Sequence, residues 1–156
     1  IANIHRVQSL HLHHPYLLLL HREQCSLVLR DKQGRVRLFW KQGVRDLEDL
    51  LDREPETLHG ASIADKVVGK AAAGMMVVGK VSELYADVMS RLALPLLDVA
   101  GIGYTYGTMV DEIIMCEDDK RCPLEQIVAP AKTAEEVVEM LKAHFRDMAS
   151  KKNLKQ

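Results

Sequence analysis

The stretch Ala61 to Lys80, ASIADKVVGKAAAGMMVVGK, constrains the fold more than any other part of the chain. Its apolar residues Ala64, Val67, Val68, Ala71, Ala72, Met75 and Met76 recur at helical spacing. That pattern predicts one helix with a single stripe facing a core. The run Ala71-Ala72-Ala73-Gly74 has so little side chain that such a helix can lie very close to a sheet. Gly79 is the expected stop. The first turn of this predicted helix carries Ser62, Asp65 and Lys66, followed by Lys70. Ser-x-x-Asp is a capping-box variant, in which each side chain satisfies a backbone N–H at the helix start. Lys66 and Lys70, four apart near the positive end of a helix dipole, repel each other and the dipole alike. A bound anion relieves both effects. Two solvated lysines are the plainer reading.

The flanking segments read as follows. Tyr16 to Gln24 forms a short helix, Cys25 to Arg30 a strand, and Asp31-Lys32-Gln33-Gly34 a turn into a return strand over Arg35 to Trp40. Val44 to Arg53 has helical spacing and ends at Pro55. Glu83 to Met89 is a strand, and Ser90 caps a helix over Arg91 to Ala100 that Gly101 stops. Gly103 to Tyr106 and Asp111 to Cys116 are further strands. Pro123 to Ala129 is a short helix. Thr133-Ala134-Glu135-Glu136 is a capping box for a last helix reaching about Met148. Alternating strands and helices predict a three-layer α/β/α sandwich, and the hairpin makes its sheet of about five strands mixed. The expected organisation is an arm and short helix over 1–24, with the arm at 1–14, then one domain over 25–149 and a tail over 150–156.

Charge and composition exclude several functions. The formal net charge is -1 with both signs mixed along the chain, which gives no electrostatic footprint for a nucleic-acid polymer or a membrane surface. Aromatic residues are 4%, too few for the stacking platforms of single-strand binders. No apolar run reaches the length of a membrane span. Cys25, Cys116 and Cys122 have neither disulfide nor zinc spacing, so a reducing, cytoplasmic setting is expected.

Other candidate groups are local. Cys122 precedes Pro123-Leu124-Glu125 at a helix opening, with Lys120 and Arg121 before it, a setting that favours the thiolate. A weak N-cap is the plainer reading. Arg91 can grip a phosphate or carboxylate bidentately, and Ser90 stands beside it. Gly74-Met-Met-Val-Val-Gly79-Lys80 spells G-x-x-x-x-G-K, but Val81 replaces the magnesium-binding hydroxyl and the helix-to-strand order is reversed. His11, His13, His14 and His21 are read as solvated histidines, and Glu117-Asp118-Asp119 as a solvated loop. No metal set and no cofactor fingerprint is found.

The order hairpin, helix, strand, helix, strand resembles a cytidine deaminase core. ADKVVGKAAA (Ala64 to Ala73), ELYADVMS (Glu83 to Ser90) and CPLE (Cys122 to Glu125) resemble a small microbial family of unknown function associated with that fold. The resemblance covers Cys25 to Phe145 and implies a cytidine-deaminase-like architecture. Zinc deaminases carry [HC]-x-E at the start of the helix after the hairpin and P-C-x-x-C at the start of the next. On the elements predicted above, those places read Ala64-Asp65-Lys66 and Ser90-Arg91-Leu92-Ala93, without ligands. His21-Arg22-Glu23 spells H-x-E but precedes the hairpin.

The expectation is therefore a metal-independent protein of this fold that binds a small anionic, nucleotide-like ligand at helix N-termini. Asp65 would be the base, Lys66 the electrostatic stabiliser and Cys122 the nucleophile, with Ser62, Lys70, Ser90 and Arg91 binding the ligand. The alternative is a non-catalytic, homo-oligomeric assembly module that uses Met75/Met76 and the Leu92 to Leu97 segment.

Overall fold

The computed structural model describes residues 16–41, 43–115, 120–121 and 123–154. The predicted arm over 1–14, with His11, His13 and His14, lies outside them, as do Cys116, Cys122 and the 117–119 acidic run. Helix α1 (Leu17–Arg22) leads into the hairpin β1 (Leu27–Arg30) and β2 (Val36–Phe39). Asp31 closes the hairpin turn, its Oδ1 accepting from the amides of Gln33 at 2.9 Å and Arg35 at 3.0 Å. Then come α2 (Arg45–Arg53), the single turn α3 (Pro55–Leu58), β3 (Ser62–Val68), α4 (Lys70–Val78) and β4 (Glu83–Ser90). A 3-10 turn (Arg91–Ala93) opens α5 (Leu94–Ala100), followed by β5 (Gly103–Val110), the short β6 (Ile114–Met115) and β7 (Lys120–Arg121), α6 (Pro123–Val128) and α7 (Ala134–Leu154). The last helix thus runs past Met148, through residues expected to form the tail.

The predicted helix over Ala61 to Lys80 is corrected: its first third is the strand β3, and only Lys70–Val78 is helical. Gly69 makes the break, with extended backbone at φ -101° and ψ -169°. Before it, Ile63 and Ala64 are both buried, but in two different cores on opposite faces of the sheet. That is strand behaviour, and the helical spacing of Ala64, Val67 and Val68 was coincidental. The corrected strand is essential to the fold, since β3 joins the hairpin to the parallel strands.

The five-stranded sheet has the order β2-β1-β3-β4-β5. β1 runs antiparallel to β2 and β3, while β3, β4 and β5 are parallel. The predicted separate strands Gly103 to Tyr106 and Asp111 to Cys116 are replaced by one long β5 and the short β6. Helix α4 is the hub of the main layer and touches α2, α5, α6 and α7. Gly74 allows that closeness, since a Cβ there would lie 2.5 Å from Val137 Cγ1 on α7. Among the described residues, the other face of the sheet is covered by α1, through Leu20, Cys25, Val28, Ala64 and Tyr85.

The three parallel strands share a pleat defect. The main core takes Ile63 and then Val68 from β3, Leu84, Ala86 and then Met89 from β4, and Tyr104, Tyr106 and then Met109 from β5. A regular strand keeps one parity on each face. Here the parity changes at one level in all three strands, between the paired rows Asp65–Ala86–Tyr106 and Val67–Val88–Thr108. Gly107 sits in that level, where a Cβ would come 2.9 Å from the Asp87 carbonyl oxygen. Such irregularities re-aim side chains near strand ends.

Candidate functional site

In an open parallel sheet, ligands bind at the carboxyl ends of the strands. Here that edge follows Val68, Ser90 and Val110. Asp65 lies just before the pleat defect on β3, shares the parity of Ile63, and is only 8% exposed. Its Oδ1 accepts a long bond from the Val67 amide at 3.4 Å. Burial pushes its pKa up to about 7, backbone N–H groups of Val67 and Lys66 oppose this, and the charges of Asp46 and Asp87 push it further up. Asp46, in the first turn of α2, is also buried, and its Oδ2 accepts from the Lys41 amide at 3.0 Å. A helix N-terminus favours an acid, yet burial dominates and raises the Asp46 pKa as well. The charge of the buried Asp46 thus adds to burial in raising the pKa of Asp65, midway along β3.

Apolar side chains stand open around the same edge. Trp40 follows β2 and is 62% exposed, Val67 on β3 is 45% exposed, and Leu92 follows β4 half-exposed. Trp40 is the chain's single tryptophan.

The other sequence candidates disperse. Ser62 begins a strand rather than a helix, and its hydroxyl donates to Glu83 Oε1 at 2.9 Å. It sits at the amino edge of the sheet, about 20 Å of strand from Val68. Lys66 falls at the level of the pleat defect, and its electrostatic partner lies in the α1-side core. There its charge acts on the buried Cys25 thiol, whose pKa burial raises and Lys66 lowers. Lys70 does not face solvent as a free cation, since its ammonium donates to the carbonyls of Ala129 at 2.9 Å and Ala131 at 2.5 Å, just past α6. Ser90 is fully buried and acts as the predicted cap, its Oγ accepting from the Leu92 amide at 3.1 Å. Arg91 stays at the carboxyl edge, paired with Asp111 at 2.9 Å.

Sequence pattern gives no sign of Asp46 or of a cluster around Asp87, and it suggests for Glu125 only a local box-like turn with Cys122. Glu125 of α6 is buried, and its Oε1 accepts from the Ala71 amide at 3.2 Å, in the first turn of α4. On the α1 face, Asp87 accepts from Tyr85 OH at 3.0 Å, and both its oxygens lie within 2.9 Å of His21 Nε2. Each of these acids looks like a surface residue in sequence, because its partner is remote. Among the described residues, no group of three or more His, Cys, Asp and Glu is placed to hold a metal. Among them too, no helix is long and apolar enough to cross a membrane.

Comparison with known proteins places this geometry among relatives. The profile of the TM1506 family, a domain of unknown function (DUF1893), matches residues 17–145. The crystal structure of a DUF1893 family protein from Thermotoga maritima superposes with a TM-score of 0.73 at 24% identity, covering 82% of this chain and 86% of that one. No curated protein matches significantly.

Proposed function

We propose a function that starts from the family: this chain belongs to DUF1893, and we read its domain as a deaminase-like fold working without zinc. The support for the fold label is the order of elements, hairpin, helix, strand, helix, strand, helix, strand. The helix that follows the hairpin is α2, which opens Val44-Arg45-Asp46, and the next long helix is α4, which opens Gly69-Lys70-Ala71-Ala72. Both lie one element earlier than the sequence reading placed them. None of these residues is a thiol or imidazole, which supports a metal-independent reading.

The domain binds a small polar molecule at the carboxyl edge of β3 and β4, and Asp65 takes or gives a proton there. The single observation behind this is Asp65 itself, a buried carboxyl whose pKa burial pushes up to about 7 beside a second buried carboxyl. A base poised near the working pH combines the right protonation state with driving force. The buried carboxyl of Asp65 favours a ligand with N–H or O–H donors, and the open Trp40, Val67 and Leu92 suit an apolar, planar body. The anionic ligand expected from the sequence has weaker support, because Lys70 is bonded to carbonyls, Ser62 is at the far edge, and Arg91 is paired with Asp111.

The test is a screen of amino-substituted heterocycles, nucleotides and sugar phosphates, read by Trp40 fluorescence. Compounds bearing donors should change the emission, and Asp65→Asn should abolish the change while leaving the fold intact. Binding unaffected by Asp65→Asn, or confined to the sugar phosphates, would remove this reading. The assembly-module alternative loses most of its expected surface, because Met75, Met76, Leu96 and Leu97 are buried in the main core; it draws instead on β5, an eight-residue strand with one sheet neighbour among the described residues, and on the exposed Leu18, Leu92 and Val99. A mass that stays monomeric across a wide concentration range would count against it.

A further inference from the structure

The first turn of α4 carries an unusual arrangement that is independent of Asp65. Gly69, the residue before the helix, offers no side-chain cap. The cap comes instead from α6, far along the chain, as the Glu125 carboxylate pressed against Gly69, where a Cβ would fall inside the carboxylate. Oε1 accepts from the Ala71 amide at 3.2 Å, whereas Oε2 is buried and has no hydrogen-bond partner among the described residues. Glu125 is only 7% exposed. A buried carboxylate oxygen without a partner loses its hydration with nothing in return. The cation next to Gly69 on α4, Lys70, is drawn off to the carbonyls of Ala129 and Ala131. The α4 N-terminus therefore already holds a negative charge of the chain's own, and that charge has one acceptor position to spare.

We infer that Glu125 Oε2 at the mouth of α4 is a binding position for a cationic N–H donor, the ammonium or guanidinium of a small ligand. An exogenous anion is the wrong partner here, since Glu125 already fills the place beside the Ala71 amide that a phosphate would take. A charged N–H donor supplies what Oε2 lacks, and such bonds are the strong class. The ligand contacts Glu125 directly, while Gly69 admits the carboxylate and Lys70 stays committed to the carbonyls of Ala129 and Ala131.

The probe is methylammonium chloride titrated into the full-length protein, with tetramethylammonium chloride as a control of equal charge and no N–H. Amide resonances of Gly69 to Ala72 report binding by NMR. Methylammonium should shift them saturably and tetramethylammonium should not. Glu125→Gln keeps an oxygen for the Ala71 amide but can present an NH₂ in place of Oε2, so the methylammonium affinity should fall about tenfold or more. A dispersed spectrum for Glu125→Gln, with the Ala71 amide still protected, establishes that the cap survives. If that variant unfolds, Glu125→Asp, which withdraws the carboxylate by one methylene, serves in its place and should weaken binding similarly. No shift in the wild type, equal shifts with both cations, or an affinity unchanged in the variant would each overturn the assignment. None of these outcomes depends on Asp65, so failure here leaves the preceding proposal standing and failure there leaves this one.

Discussion

Asp65→Asn should stabilise the protein, and by more as the pH rises. In the unfolded chain Asp65 titrates near its ordinary value of 3.8, whereas in the fold it is raised to about 7 by burial. The folded state therefore holds a proton that the unfolded state has lost, and stability falls as pH climbs through that window. At ~1.4 kcal/mol per pH unit, the cost of ionising Asp65 reaches about 4 kcal/mol above pH 8, and is less than half of that at pH 5. Asparagine has nearly the same shape, keeps an oxygen for the Val67 amide and carries no charge. Its extra N–H₂ brings a desolvation cost, but that cost is the same at both pH values and cancels in the comparison.

The informative quantity is thus the difference between pH 5 and pH 8.5, roughly 3 kcal/mol in favour of the variant at the higher pH. For a chain of this size that corresponds to a gain in Tm about 6–12 °C larger at pH 8.5 than at pH 5. Urea unfolding followed by far-UV circular dichroism at the two pH values measures it directly. Asp46 titrates in both proteins, so its own pH dependence drops out to first order. A stability gain that is the same at both pH values, or a variant less stable at pH 8.5 than at pH 5 relative to wild type, would show that Asp65 is ionised at no unusual cost. The acid–base reading would then lose its foundation.

The remaining predictions concern packing and caps. Gly69→Ala should destabilise by about 2 kcal/mol or more through overlap with the Glu125 carboxylate, and Glu125→Ala should relieve much of that loss in a double-mutant cycle; additive losses would mean the two residues do not meet. Gly74→Ala gains about 1 kcal/mol of helix propensity but drives a methyl into Val137, so a net loss of about 1 kcal/mol is expected in urea melts; a stabilised variant would show α7 packed less closely than described. Ser90→Ala should cost about 1 kcal/mol by removing the cap on the Leu92 amide, and a neutral result would assign that amide another acceptor. His21→Ala should speed amide exchange in α1 while leaving α4 protected, because His21 ties α1 to Asp87 on β4; unchanged exchange in α1 would make that pair incidental.

Much of the architecture was legible because its signals are local. Asp31 and Gly34 mark the hairpin turn, Ser90 the cap, and Gly101, at φ +72°, the end of α5. Pro95 is tolerated because it falls in the first turn. The β3–α4 boundary is hidden in the sequence for an equally physical reason. Val67, Val68, Ala71 and Ala72 satisfy a helical period even though a strand lies on one side of Gly69 and a helix on the other. A glycine inside a helix costs about 1 kcal/mol, and that cost was the available warning. The site's acids were harder to read. Asp46 and Glu125 are acids in the first turns of helices, the commonest place for surface carboxylates. Nothing adjacent in sequence reveals that both are buried or that Glu125 caps a different helix.

The positions that sequence pattern hides coincide in space. The wrong secondary structure, the two buried carboxyls of Asp65 and Asp46, the missing local cap at Gly69 and the remote cap from Glu125 all lie within one strand end and the helix starts around it. A sequence selected only for stability would resolve each conflict cheaply, with Ser or Asp before Lys70 to cap α4 and an apolar residue at 65. Local rules broken together are where functional or strained sites are expected, which is the ground for the ligand-binding proposal. The pleat defect points the same way. It crosses β3, β4 and β5 at the level immediately after Asp65, where it changes which side chains the strand ends present. The carboxyl edge beside α4 is therefore the part of this domain where the chain gives up stability, and it is there that ligand binding should be sought first.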